Sequence, residues 1–459
     1  MPPAPDPLIE PLPADRPAVE RAARLPAGFV AAGTTAGLKA SGRPDFALIV
    51  AQDGPVPAAA VFTPNRFAAA PVRRSRANLQ ATGGTADAAG FARAIVATSG
   101  SANAATGPGG DADQATIGEA VAASLGCAPT EVLHLATGVI GTRLPLDRVQ
   151  AEIARVAAGG LAATDDAFAS AAVSLRTTDS TTKMATAVVP SPAATGRGTV
   201  EVTVGGIAKG VGMIHPRMAT LLSIVLTDAT ASPATLRQLL RAAAARTWDQ
   251  LSVDGDTSTN DTVLVLASGR AGAASADTDP AARAALAAAI EAVARDLARQ
   301  QARDGEGATS MITCQVSGAA DDADARAIAR AVISSALVKA AIHGRDANWG
   351  RIAGAAGNAM VAEAAILEAA GLSRAEAAAR AAQPARVDPA LLRIAIAGLV
   401  AYDGAAGGPT GIDKTAAREA MATEDVLVRL DLGLGTGAGE AFGCPLTEGY
   451  VRENSEYTS

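Results

Sequence analysis

Residues 209–228 read KGVGMIHPRMATLLSIVLTD: glycines and a proline crowd a bend, and Ala219 and Thr220 stand directly before the apolar run LLSIVL. Two readings are open. The plain one is a Gly/Pro loop entering a core strand. The chemical one is that a threonine whose preceding peptide bond is cut gains a free α-amine, of ordinary pKa about 7.7 to 8.0, within reach of its own hydroxyl as general base. A bend before Thr220 could press its hydroxyl onto the Ala219 carbonyl, permit an N-to-O acyl shift and, after hydrolysis, leave chains 1–219 and 220–459. That would make a nucleophile without histidine. The chain has only three histidines, His134, His215 and His343, and none sits in a triad or metal-binding pattern.

Other chemistries find less support. There is no HExxH, GxSxG or GxxxxGK[ST] pattern, so zinc protease, α/β-hydrolase and P-loop readings lose their usual basis. The run GLGTGAG at 433–439 is followed by no helical pattern and reads as a glycine hairpin turn rather than a dinucleotide cradle. Asp254, Asp256, Asn260 and Asp261 resemble half a calcium loop but lack the distal glutamate. Asp254 and Asn260 read as residues holding turns near the nucleophile, and no metal or other cofactor is assigned.

The elements that must position Thr220 are strands and helices in alternation. Apolar runs at 46–50, 58–62 and 94–98 suggest strands of a mixed sheet, with weaker helix signals between residues 28 and 141. TVEVTV at 199–204 has period two and is expected to end at Gly205-Gly206, while 221–226 suits a strand covered on both faces. Ser232-Pro233 caps one helix, and Leu286, Ile290, Val293 and Leu297 stripe another over 281–301. A strand over 311–316, a helix over 324–342 and strands over 391–400 and 426–432 complete an α/β or α+β pattern.

With 459 residues, 39 Lys and Arg against 46 Asp and Glu, and a net charge of −7, the chain has ample core and no basic patch for nucleic acid or an anionic membrane. No 18-residue apolar stretch avoids charge, so no membrane span is expected. Cys127, Cys314 and Cys444 are widely spaced, which argues against a disulfide framework or a structural zinc and fits a reducing cytoplasm. Residues 1–24, with seven prolines and four acidic residues, read as a disordered tail rather than a signal peptide.

Ten blocks in order then resemble the ornithine acetyltransferase / glutamate N-acetyltransferase family: GFVAAGTTAGLK from Gly28, VFTPNRF from Val61, SGSANAATG from Ser99, ATGVIG from Ala136 and TTD from Thr177. KGVGMIHPRMAT from Lys209, SVDGDTSTNDT from Ser252, DGEGAT from Asp304, VKAAIHGRDANWGR from Val338 and LTEGYVRENSEYTS from Leu446 follow. The resemblance spans almost everything beyond the tail. It implies self-cleavage between Ala219 and Thr220, an α chain of 25–219, and a β chain of 220–459 whose last hundred or so residues include a smaller lobe. The fold it implies is a sandwich of stacked sheets flanked by helices, shared with the self-cleaving β-aminopeptidases of the DmpA type.

The activity it implies is ping-pong transfer of an acetyl group from N-acetyl-L-ornithine to L-glutamate through an acetyl-Thr220 ester, in arginine biosynthesis or a specialised-metabolite variant. Acetyl-CoA as a donor, and with it amino-acid N-acetyltransferase activity, stays open. Thr137 and Gly138 match the oxyanion hole, and Thr177, Lys209, Thr220, Glu306, Asn454 and Ser459 match the substrate-binding positions. The cleaved pair is expected to form a homo-oligomer. Arg217, Ser310 and Ala347 depart from the family's usual residues near the site, which leaves the acyl donor and acceptor less fixed than the chemistry. Two alternatives are a β-aminopeptidase-like hydrolase ending its reaction with water and an uncleaved, non-catalytic relative.

Overall fold

The apolar run after position 220 becomes the strand Leu222–Thr227, every residue of it buried. Its side chains alternate between two cores. Leu222, Ile224 and Leu226 enter one hydrophobic cluster and Val225 the other, as do Leu264 and Leu266 against Val263 and Val265 on the parallel neighbour Thr262–Ala267. A sheet covered on both faces needs such two-sided apolar strands. The structure, a computed structural model, describes residue 8 and residues 16–84, 88–215 and 221–455.

Those two strands lie in a six-stranded sheet ordered Ala89–Ala92, Val56–Phe62, Thr262–Ala267, Leu222–Thr227, Thr199–Lys209, Lys183–Pro192. A four-stranded sheet, Phe29–Thr34, Phe46–Ala51, Ala94–Ser101, Val132–Val139, shares its inner cluster through Phe29, Ile49, Ile95 and Leu133. Helices Pro233–Arg246 and Pro280–Arg303 cover the outside of the larger sheet, and Gly107–Leu125 and Leu146–Gly159 that of the smaller. The layers are therefore helix, sheet, sheet, helix. Residues on both sides of position 219 fill the inner cluster, and each buried Leu, Ile or Phe contributes about 1.5 to 3 kcal/mol. Scission there would leave two chains held in one core.

A third, seven-stranded sheet takes its strands from Met311 onward, apart from Leu251–Ser252, which ties it to the main body. It forms the C-terminal lobe with helices such as Asp322–Ser334 and Trp349–Gly357 on a separate cluster. Within that lobe Trp349 stacks on Tyr402 with ring centroids 4.8 Å apart, so it packs the lobe and is not part of the site's lining.

Several expectations need correction. The strand Thr199–Lys209 runs straight through Gly205-Gly206. A Cβ on Gly206 would stand 2.6 Å from Val293, and one on Gly205 2.2 Å from Arg24 O, so these glycines serve close packing on both faces rather than a break. The helix expected over 324–342 is two, because Ser335 caps the second by accepting from Val338 N–H at 3.3 Å. The strand expected over 391–400 is the hairpin Arg393–Ile396 and Leu399–Asp403, turned by Ala397 and Gly398 at φ 48° and 82°. The glycines at 433–439 make no hairpin: the strands they join, Asp425–Asp431 and Gly437–Gly443, flank Met311–Ala319 on opposite sides. Residues 16–24 of the expected tail lie against the body, where Glu20 exchanges backbone hydrogen bonds of 2.8 Å with Thr186 and Arg21 pairs with Asp296 at 3.2 Å.

His134 anchors the strand that leads to Thr137. Its Nδ1 stands 2.7 Å from Gln114 Nε2, which makes the neutral imidazole the acceptor, and Gln114 Oε1 accepts from Asn103 at 3.2 Å. Burial, aided by Arg74, pushes the His134 pKa down to about 3. A folded-state pKa below the unfolded value near 6.5 means that the unfolded chain binds the proton first. Stability from this group is complete above about pH 6.5 and is lost as pH falls toward 3, at roughly 1.4 kcal/mol per unit. Urea titrations at pH 7, 6 and 5 should therefore give a steeper decline for the native chain than for His134→Asn. Equal slopes would refute it; the opposite pull of buried Asp261, whose pKa is raised, is common to both proteins.

Candidate functional site

The strands Ala94–Ser101 and Val132–Val139 run parallel, and their C-terminal ends meet the start of Leu222–Thr227 and the end of Thr199–Lys209. Here a cavity of about 270 Å³ is lined by Thr137, Gly138, Thr177, Lys209, Glu306 and Asn454, among others. Six expected positions thus converge from five segments far apart in sequence. Thr220, Ala219 and Ser459 lie outside the described residues. Leu221, next to Thr220, is held on both sides: its N–H donates to Asp261 Oδ1 at 3.0 Å and its carbonyl accepts from Thr262 N–H at 3.0 Å.

Gly138 has φ 132°, and a Cβ there would lie 2.3 Å from the Gly100 carbonyl carbon. Only glycine permits this close approach of the two strand ends. Beside it Lys209 Nζ reaches Thr137 Oγ1 at 3.4 Å and makes no ion pair among the described residues. Burial pulls the Lys209 pKa down, and Asp179 opposes that pull. Gln301 fixes the Lys209 backbone, donating from Nε2 to its carbonyl at 2.9 Å and accepting from buried Trp248 at 3.2 Å.

At another point of the lining, Glu306 is 8% exposed and accepts only neutral donors among the described residues, Thr178 Oγ1 at 2.9 Å and Asn454 Nδ2 at 2.9 Å. Gly212 faces this carboxylate, and a Cβ on it would stand 2.2 Å from Oε2. Asn454 arrives on the helix Glu448–Ser455, anchored where Thr447 Oγ1 donates to Gly307 O at 2.7 Å. One cavity thus presents a buried ammonium and a buried carboxylate that do not pair with each other, which suits a small zwitterionic ligand.

A buried charge cluster holds the segments behind the lining. Lys183 Nζ donates to Asp179 Oδ1 at 2.8 Å and to Asp304 Oδ2 at 2.6 Å. Asp179 also accepts from Gly210 N–H at 2.8 Å and Thr177 N–H at 3.0 Å. Burial pushes the Asp179 carboxyl up, but Lys209, Lys183 and the Gly210 N–H outweigh it and hold it below the ordinary range. Segments 177–183, 209–212 and 304–306 are in this way fastened together at their charged residues. Asp254 does likewise for the approach to position 220, accepting from the N–H groups of Met213 and Ile214, the latter at 2.9 Å. These are the turn-holding contacts expected of Asp254.

Thr177 lies on the cavity wall, and sequence reasoning did not name its neighbour Thr178, whose hydroxyl meets Glu306. It also passed over Ile140, Met213, Ser258 and Thr259 on the wall. The TTD block was the available signal for Thr178; the wall residues carry none, because small polar and apolar residues gain a role only from the fold.

Comparison with known proteins matches the ArgJ family model over residues 30–459. The chain is 42% identical over 440 residues to the arginine biosynthesis bifunctional protein ArgJ of Thermus thermophilus, covering 95% of this chain and 100% of that one. It is 43% identical over 434 residues to the ArgJ of Thermosynechococcus vestitus, covering 94% and 96%. Among solved structures, the argJ protein of Bacillus halodurans is 36% identical at a TM-score of 0.43, covering 50% of this chain and 97% of that chain. Ornithine acetyltransferase of Mycobacterium tuberculosis, complexed with ornithine, is 35% identical at a TM-score of 0.37, covering 44% and 98%.

Proposed function

We infer, from the premise that this chain belongs to the ArgJ family, that it is an acetyltransferase of arginine biosynthesis that moves an acetyl group from N-acetyl-L-ornithine to L-glutamate. We propose that Thr220, freed at its amine by cleavage after Ala219, carries that group. Its hydroxyl attacks the acetyl carbonyl while the α-amine takes the hydroxyl proton. The tetrahedral oxyanion is met by donors at Thr137 and Gly138, an interaction of about 2.7 to 4 kcal/mol per donor in comparable sites. The C–N bond then breaks, and the proton leaves with the ornithine amine. Glutamate's amine attacks the resulting ester through the same kind of intermediate, returning the hydroxyl and releasing N-acetylglutamate.

The observation that carries this reading is that one cavity holds two buried charges, Lys209 and Glu306, neither with an ion-pair partner among the described residues. Lys209 meets an α-carboxylate and Glu306 the side-chain ammonium of ornithine, with Thr178 and Asn454 steadying Glu306. Intact-mass analysis tests it. Incubation with N-acetylornithine should add one acetyl group to the 220–459 chain, and glutamate should remove it. Acetate release without glutamate would favour a hydrolase, and an adduct on another side chain would overturn the mechanism. Acetyl-CoA in the same panel tests a second donor, and native mass gives the number of α/β pairs per particle.

A further inference from the structure

We infer that Asn260 is a positioning residue that sets the oxyanion loop against the nucleophile, an inference that rests on the acyl-transfer reading above. Its carboxamide is buried, and Nδ2 donates to Ala102 O at 2.7 Å and to Ala136 O at 2.8 Å. Oδ1 accepts from Thr259 Oγ1 at 2.7 Å. Two carbonyl partners can be served only by the NH₂ end, so the partners themselves fix the orientation of the amide. Asn260 lines the cavity, yet both of its N–H groups are occupied by the protein. It therefore acts through the backbone rather than on a ligand.

Of the two carbonyls it holds, Ala136 directly precedes the oxyanion segment and Ala102 directly follows the neighbouring strand Ala94–Ser101. The Ala136 carbonyl shares a peptide unit with the Thr137 N–H, so holding one aims the other. Ala102 N–H in turn donates to Val139 O at 3.0 Å, on the far side of Gly138. The residues that follow Asn260 grip the nucleophile's neighbour, since Asp261 and Thr262 hold Leu221. Residues 260–262 thus fasten the oxyanion segment of one sheet and the start of the nucleophile strand of the other in three consecutive positions. Transition-state stabilisation depends on that separation, because donors must be aimed at the oxyanion's position and a misplacement of an ångström is costly.

The test uses fully cleaved Asn260→Ala and Asn260→Asp protein, with Thr259→Val as a milder variant that frees the Asn260 oxygen but keeps the chain's shape. Acetyl-enzyme formation from N-acetylornithine and its discharge by glutamate are timed separately. We expect kcat to fall about 10- to 50-fold in the Asn260 variants with both KM values little changed. Both half-reactions should slow by the same factor, since each passes through a tetrahedral intermediate at the same donors. Thr259→Val should show a smaller fall in the same parameter. Native kcat in Asn260→Ala, or a loss carried by KM or by one half-reaction alone, would overturn the assignment. If the Asn260 variants do not fold or cleave, unchanged kcat in Thr259→Val does so. A native protein that forms no acetyl-enzyme would bring down the acyl-transfer reading itself, which is a different result from an active native protein with indifferent Asn260 variants.

Discussion

Thr220→Ala protein is expected to purify as a single 45.4 kDa chain and to lose acetyl transfer by about 10⁴-fold or more. Both effects follow from one missing hydroxyl. Without it the Ala219 carbonyl has no intramolecular acceptor for an N-to-O shift, and no amine is released to serve as base. The surrounding structure gives no reason for the variant to misfold: Leu221 keeps its hydrogen bonds to Asp261 and Thr262, and the strand Leu222–Thr227 keeps its place between two cores. Thr220→Ser retains the hydroxyl and should still cleave. Denaturing mass spectrometry reads the first effect and the acetyl-enzyme assay the second. A Thr220→Ala chain that divides into two, or one that still transfers acetyl at the native rate, would remove Thr220 from the mechanism.

How much of this was legible depends on what each residue's role required. Residues 221–226 announced their strand because a continuous apolar run needs cover on both faces, which Leu222, Ile224 and Leu226 on one side and Val225 on the other provide. The helix Gly107–Leu125 was not announced, since Ile117 and Val121 are the main large residues it buries and four of its positions are glycine. An Ala- and Gly-rich helix needs little hydrophobic stripe when its neighbours pack at short range. Gly205 and Gly206 misled for a related reason, because a glycine needed for contact between layers looks in sequence like one that ends a strand.

The site was legible where it is charged and opaque where it is positioned. Lys209 and Glu306 stand in glycine-flanked blocks, and the structure brings both to one cavity. The fastening of those blocks by Lys183 between Asp179 and Asp304 joins residues up to 125 apart in number, and only the packed fold reveals it. A buried Lys with two carboxylates is costly unless every partner is in place, so the cluster gives the binding segments one arrangement rather than many.

The charge at Glu306 also divides the two substrates. Glu306→Gln is expected to raise KM for N-acetylornithine about 10- to 150-fold while leaving KM for glutamate unchanged or lower. Ornithine brings an ammonium to this end of the cavity, and losing a charge-assisted hydrogen bond costs about 1.5 to 3 kcal/mol. Glutamate brings a carboxylate, for which a second carboxylate 8% exposed and without a cationic partner among the described residues is a repulsive neighbour. The substituted amide keeps the size of the native side chain and can still accept from Asn454 Nδ2 and meet the Thr178 hydroxyl, so the helix Glu448–Ser455 has no cause to detach. Steady-state rates over a grid of both substrates give the two KM values separately, because ping-pong kinetics assign each to its own half-reaction. Equal rises in both would mean that Glu306 only shapes the cavity. A native KM for N-acetylornithine would mean that its ammonium lies elsewhere, and the orientation with the α-carboxylate toward Lys209 and the side chain toward Glu306 would fall.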